Sequence, residues 1–416
     1  MEERVLKNYA RVLLKVGVNL QKGQKLLLQC TTDSINLARE IAAQAFEMGA
    51  RDVAVFIDDP YIKRLRGLYC DEETLRTVPD YRKEELDYYL RQDTVQMGLM
   101  GTYPDNMEGV KMENAIAIAY ADNEVRNVVR KYIHAGTLQW TGTAVANIEW
   151  ARKVYPDFDE ETALLKLEAD LAKMMHADED DPVEAWHKHT TEMSVVSKNL
   201  NEHNFKSLHI KSELGTDITM DLVKNHIWTS AADMGDSLVK VPYVANMPTE
   251  EIFTDPHRLY VNGVAYASRP LTISGKLVKD FWIKFEDGLA VDCGASENGE
   301  ALRDLLMRDE YTRRLGEVAL VSKNSPITQM NRVYYNGLID ENAASHLAFG
   351  QSFSSNIKGG ASMSKEELLE AGVNNASVHC DFMIGTPMFD VTGIKEDGTE
   401  VKIMTEGDFT DDFKTR

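Results

Sequence analysis

Residues 24–57 read QKLLLQCTTDSINLAREIAAQAFEMGARDVAVFI, and the pattern of apolar residues changes twice within them. The stretch QKLLLQC (24–30) predicts a strand. Residues 34–50 turn to helical spacing and close at Gly49, and RDVAVFI (51–57) predicts the next strand. The same alternation extends outward. Residues 81–93 predict a helix, 94–103 a strand, and 123–136 a helix ending in glycine. Before them, Val5, Tyr9, Val12, Leu13 and Val16 recur at the spacing of an amphipathic helix. Strands separated by helices to about residue 175 predict an α/β domain with a mostly parallel sheet and helices on both faces. No GxGxxG follows the first strand and no GxxxxGK[ST] occurs anywhere, which argues against a nucleotide or dinucleotide.

The stretch HADEDDPVEAWHKH (176–189) is acidic, contains Pro182 and interrupts the apolar period. It predicts an interdomain connection, dividing the chain into an N-terminal α/β domain (1–185) and a C-terminal domain (186–416). In the second half, residues 208–222, 281–295 and 391–404 each resemble two short strands joined by a glycine-containing turn. One helix is predicted across 299–316. The second domain is therefore α+β and rich in antiparallel strands.

A net charge of −21 over 416 residues argues against sequence-independent nucleic-acid binding and against an anionic membrane surface. The N-terminus lacks a basic stretch followed by a continuous apolar one, and no apolar run reaches the ~20 residues that a membrane span needs. Four scattered cysteines (30, 70, 293 and 380) include no CxxC pair. They predict free thiols in a reducing compartment, the cytoplasm.

Four segments place carboxylates or imidazoles where apolar residues would be less costly. NMPTEEIFTDP (246–256) holds Glu250 and Glu251. LGEVALVSKNSPI (315–327) predicts a strand with Glu317 on one face beside Leu315, Ala319 and Val321. DENAASHLAFG (340–350) offers Glu341 and His346, five residues apart and so together only at a helix end or in a loop. NNASVHCDFMIGTP (374–387) puts His379 and Asp381 on one face of a strand, with Cys380 turned away. Each has an ordinary explanation: a solvated acidic doublet, an acid in the first turn of a helix begun at Asp340, or a His–Asp pair satisfied locally. As a set, carboxylates and imidazoles without thiolates are the donors of Zn²⁺, Co²⁺ or Mn²⁺ in hydrolytic sites, and two cations would need a bridging carboxylate. No HExxH is present. His187 and His189 are expected to face water, and His203, His209, His226 and His257 lack such a setting.

The order and spacing of NMPTEEIFTDP, LGEVALV, DENAASHLAFG with Gly359–Gly360 following, and HCDFMIG resemble the metal-dependent aminopeptidases of the aminopeptidase S, aminopeptidase T and PepS type. The N-terminal YARVLLKVGVNLQKGQKLLL is similar as well, so the resemblance spans the chain. It implies two divalent cations (Zn, Co or Mn) held by Glu251, Glu317, Glu341, His346, His379 and Asp381. It further implies a proton shuttle at Glu317 or Glu251, peptide substrates with a free N-terminus, a cytoplasmic location and a homodimer. One position departs: where the family often carries a tyrosine seven residues beyond the His346 position, this chain has Phe353. Two other readings share the ligand set, a dimetal hydrolase of another amide or ester and a non-catalytic metal- or peptide-binding protein.

Overall fold

The computed structural model describes residues 1–232, 239–273 and 275–415. The chain forms two compact units, Met1–His187 with Ser237–Met247, and Lys188–Asp236 with Pro248–Arg416. The mixed α/β architecture expected from the sequence is present in both.

The first unit is built on a five-stranded, wholly parallel sheet. In spatial order its strands are Asp52–Asp58, Lys25–Thr31, Thr94–Met100, Trp140–Ala144 and Asn246–Met247. The central strands carry Leu26, Leu27, Leu28, Val95, Met97 and Leu99, all buried, as a sheet covered on both faces requires. The N-terminal helix (Glu3–Val12) buries Val5, Tyr9 and Val12, and its apolar stripe continues through a π-helical turn at Leu13–Gly17. The predicted helix at 123–136 is the end of a longer one, Met112–His134.

Residues 176–189 do not form an open connection. Pro182–His203 is a continuous helix that starts on its proline, where the missing N–H goes unneeded. The Asp181 carboxylate accepts the Glu184 N–H at 3.5 Å, so the acidic stretch initiates a helix. His187 is exposed as expected, but His189 is not: its side chain is 16% exposed and Nε2 donates to the Thr249 carbonyl at 2.9 Å.

The second unit contains an eight-stranded and a four-stranded antiparallel sheet over one apolar core. The three predicted strand pairs all lie in the larger sheet. The helix expected over 299–316 ends at Leu306. Beyond it the Asp309 carboxylate turns the chain by accepting the N–H and hydroxyl of Thr312 at 2.8 and 2.9 Å. Among the described residues, no helix is long and apolar enough to cross a membrane.

Candidate metal centre

The four-stranded sheet orders its strands as His379–Met383, His346–Gly350, Leu315–Leu320 and Ile252–Thr254. Each of the four segments singled out in the sequence therefore supplies, or directly precedes, one strand. Pairing of Ala348 with both Glu317 and Asp381 sets those two carboxylates in one row, with only a methyl between them. His379 lies two residues from Asp381, His346 two from Ala348, and Glu251 two from Phe253, which pairs with Ala319. All five side chains thus belong to one face. The opposite face carries Val318, Leu320, Leu347, Phe349 and Phe382 into the core, where Phe349 and Phe382 stack at 4.7 Å. Cys380 packs against this core, and burial pushes its thiol up to about 12.

Leu315 departs from the expected strand face. A bulge between Leu315 and Glu317 sends Leu315 into the core while Glu317 turns to the site. Glu341 ends the short helix Gly337–Glu341 rather than opening one at Asp340, so first-turn dipole stabilisation does not account for it.

His346 is fully enclosed, and its Nδ1 donates to the Ala344 carbonyl at 3.1 Å. His379 Nδ1 donates to the Gln351 carbonyl at 2.7 Å. A carbonyl can only accept, so both rings present Nε2 to the carboxylates, the arrangement by which a second partner fixes a ligand histidine. His346 Nε2 lies 3.2 Å from Glu251 Oε2 and 3.3 Å from Glu317 Oε1. His379 Nε2 lies 3.4 Å from Glu317 Oε2 and 3.1 Å from Asp381 Oδ1. Two groups of three result, Glu251–Glu317–His346 and Glu317–His379–Asp381, each with its ligand atoms within 4.8 Å of one another. Donors bound at ~2.0–2.1 Å to one tetrahedral cation lie about 3.3 Å apart, so these separations suit a shared ion.

The electrostatics show the same demand for positive charge. Burial raises the Glu251 carboxyl, and burial with the charges of Glu251 and Asp381 raises Glu341 well above the usual range. Burial opposes charge on both imidazoles, yet the neighbouring carboxylates carry His346 well up and His379 to about 12. Glu317 is desolvated, but the two imidazoles hold it down at about 2. Without a cation, protons held by the histidines and by the raised carboxyls offset the site's negative charge.

Asp255 was not singled out in the sequence. It follows Glu251 at i+4 with Phe253 between, the same alternation that joins His379 to Asp381. It is 0% exposed, accepts the Phe353 N–H at Oδ1 (3.3 Å), and buries Oδ2 with no hydrogen-bond partner among the described residues. Burial and the Glu317 charge raise its carboxyl well above the usual value. Glu250 faces the other way, with His189 3.8 Å from its carboxylate and its N–H donating to Asn342 Oδ1 at 2.7 Å.

Thiolate-free groups of carboxylates and Nε2-presenting imidazoles gathered on one face of a sheet are the donor set of a metal-dependent hydrolase. The chain belongs to the thermophilic metalloprotease family M29, whose signature matches residues 2–409. It is 35% identical over 404 residues to aminopeptidase AmpS of Bacillus subtilis, covering 97% of this chain and 98% of that protein. It is 36% identical over 404 residues to aminopeptidase T of Thermus aquaticus, covering 97% of both. The solved structure of wild-type AmpT from Thermus thermophilus superposes with a TM-score of 0.91 at 34% identity, covering 98% of this chain and 99% of that one. A dioxygenase from Pseudomonas putida, at 12% identity and a TM-score of 0.53, shares the fold alone.

Proposed function

We propose that the protein is an aminopeptidase that removes N-terminal residues from peptides at a two-cation centre in its C-terminal domain, residues 186–416. The observation that carries this reading is Glu317, whose two oxygens face two different histidines and so join the two ligand groups. Glu251, Glu317 and His346 would hold one divalent cation, and Glu317, His379 and Asp381 the other, with Zn²⁺, Co²⁺ or Mn²⁺ fitting the donors. Bound there, the cations supply Lewis acidity and make water acidic enough to be a nucleophile near neutral pH.

The side chains do the rest. Glu317 has both oxygens engaged, so Glu251, with one oxygen facing His346, is the better proton carrier to the leaving amine. Glu341 lies outside both groups of three and is half-buried, which suits it to pair with the substrate's α-ammonium. The carbonyls of Ala344 and Gln351 hold the imidazoles in the ligating tautomer. Dispersed free cysteines support a cytoplasmic location, and the family resemblance supports a homodimer.

Aminoacyl p-nitroanilides test the reading. Release of chromophore, its loss in chelator and recovery on adding Zn²⁺, Co²⁺ or Mn²⁺ are expected, with N-acetylated analogues resistant. Equal cleavage of acetylated and free substrates would point to another amidase. No chromophore release in any metal would point to a binding protein.

A further inference from the structure

Beside the ligand groups lies an aromatic pair that the chemistry above leaves unused. Phe253 occupies the ligand face of the sheet, two residues from Glu251. Its ring centre lies 5.5 Å from that of Phe353, edge to face. Phe353 in turn sets its ring 5.1 Å from the His379 imidazole, at 63°. Phe353 is nevertheless 38% exposed, one of the large apolar side chains that meet solvent. It is also firmly based. Its N–H donates to the buried Asp255 carboxylate, and its carbonyl accepts the N–H of fully buried Asn356 at 3.0 Å. An open aromatic face, held in place next to a candidate ligand, is a surface shaped to be covered by an apolar group.

We propose that Phe353, backed by Phe253, seats the side chain of the peptide's N-terminal residue, so that the enzyme selects substrates with apolar or aromatic N-termini. The inference rests on the aminopeptidase reading and names its substrate class. In that reading the attacked carbonyl sits at the cations, one of which His379 holds. The side chain of the same residue leaves from the adjacent carbon, within reach of a ring 5.1 Å from His379. An aliphatic group there would cover the exposed face, and an aromatic one could add an edge-to-face contact. Asp255 is the positioning residue, since its carboxylate fixes the backbone from which Phe353 projects.

The test compares phenylalanyl-, leucyl-, alanyl- and lysyl-p-nitroanilides on the metal-loaded enzyme, which keeps the leaving group constant. Wild type should favour the phenylalanyl over the alanyl substrate in kcat/KM by roughly tenfold or more. Phe353→Ala should remove most of that ratio, Phe353→Tyr should keep it, and Phe353→Glu should move preference toward the lysyl substrate. Because the ratio compares two substrates on one variant, a general loss of rate through His379 cancels. Asp255→Asn should weaken the ratio less than Phe353→Ala. Calorimetric titration with free L-phenylalanine and L-alanine gives the same comparison for a variant too slow to assay, the preference for phenylalanine again being lost in Phe353→Ala. A wild-type ratio near unity, or one unchanged in both Phe353→Ala and Phe353→Glu, would overturn the proposal while leaving the aminopeptidase reading intact. Absence of any cleavage by wild type would overturn both.

Discussion

Gly316 sits at the bulge that turns Glu317 into the site, and Gly316→Ala tests how tightly the sheet fixes its histidines. A methyl there would lie 2.4 Å from the Gly350 carbonyl oxygen and 2.5 Å from that of Gln351. Comfortable C···O contacts run about 3.3–3.6 Å, so the backbone would have to yield by roughly 0.8 Å or more. The Gln351 carbonyl is the acceptor that holds His379 Nδ1 at 2.7 Å, and a shift of that size breaks the hydrogen bond. Overpacking of this kind costs about 1–3 kcal/mol, or roughly 2–4 °C of Tm for each kcal/mol in a domain of this size. Losing the second partner of a ligand histidine lowers metal affinity about 10- to 100-fold. Competition against a chromophoric chelator measures the affinity, and differential scanning calorimetry in chelator measures the fold. The substitution should weaken metal binding and lower the Tm of the metal-free protein. Wild-type affinity with an unshifted Tm would show that neither carbonyl constrains the site and that the fixed-histidine account is wrong.

In chelator, Tm should fall as pH rises from about 5 to 9, because His346, His379, Glu251 and Glu341 all have folded pKa values above their unfolded ones. Stability from such groups is complete below the unfolded values (near 4.5 for the acids, 6.5 for the histidines) and drains away as pH climbs toward the folded values. The metal-loaded protein should show the opposite trend over pH 6–8, since cations displace protons from the imidazoles; parallel curves with and without chelator would contradict this. His379→Ala and Asp381→Asn should lower turnover by orders of magnitude and impair occupancy of at least one metal; in chelator His379→Ala should also lower Tm, because it takes a cation away from Glu317 and Asp381. Destabilised variants of normal turnover would mark the pair as structural. Cys380→Ser should leave metal content unchanged, because the thiol packs toward the core; elemental analysis decides it.

Much of this architecture was legible because period and position coincide. The strands Lys25–Thr31 and Asp52–Asp58 and the helix Ile35–Glu47 follow their apolar patterns closely. Where the reading slipped, a local signal carried two meanings. Asp181-Pro182 can break a helix or begin one, and only the docking of Trp186 and Leu200 in buried positions decides for the second. The two-residue strand Asn246–Met247 has no periodicity to read, since its place in the first sheet comes from tertiary pairing. Alternation correctly joined His379 to Asp381, but it failed at Leu315 because the bulge reverses its face. Asp255, two residues beyond Phe253, was available by that same rule. The chain there runs from the small sheet into the Pro256–Tyr266 strand of the larger one.

The central claim, that Glu317 joins two cation sites, is tested most directly by crystals grown with Zn²⁺ and measured on both sides of the zinc absorption edge. The account predicts two anomalous peaks per chain, about 3.5–4 Å apart. One should lie among Glu251, Glu317 and His346, and the other among Glu317, His379 and Asp381. A single peak, or peaks that do not touch Glu317, would contradict it.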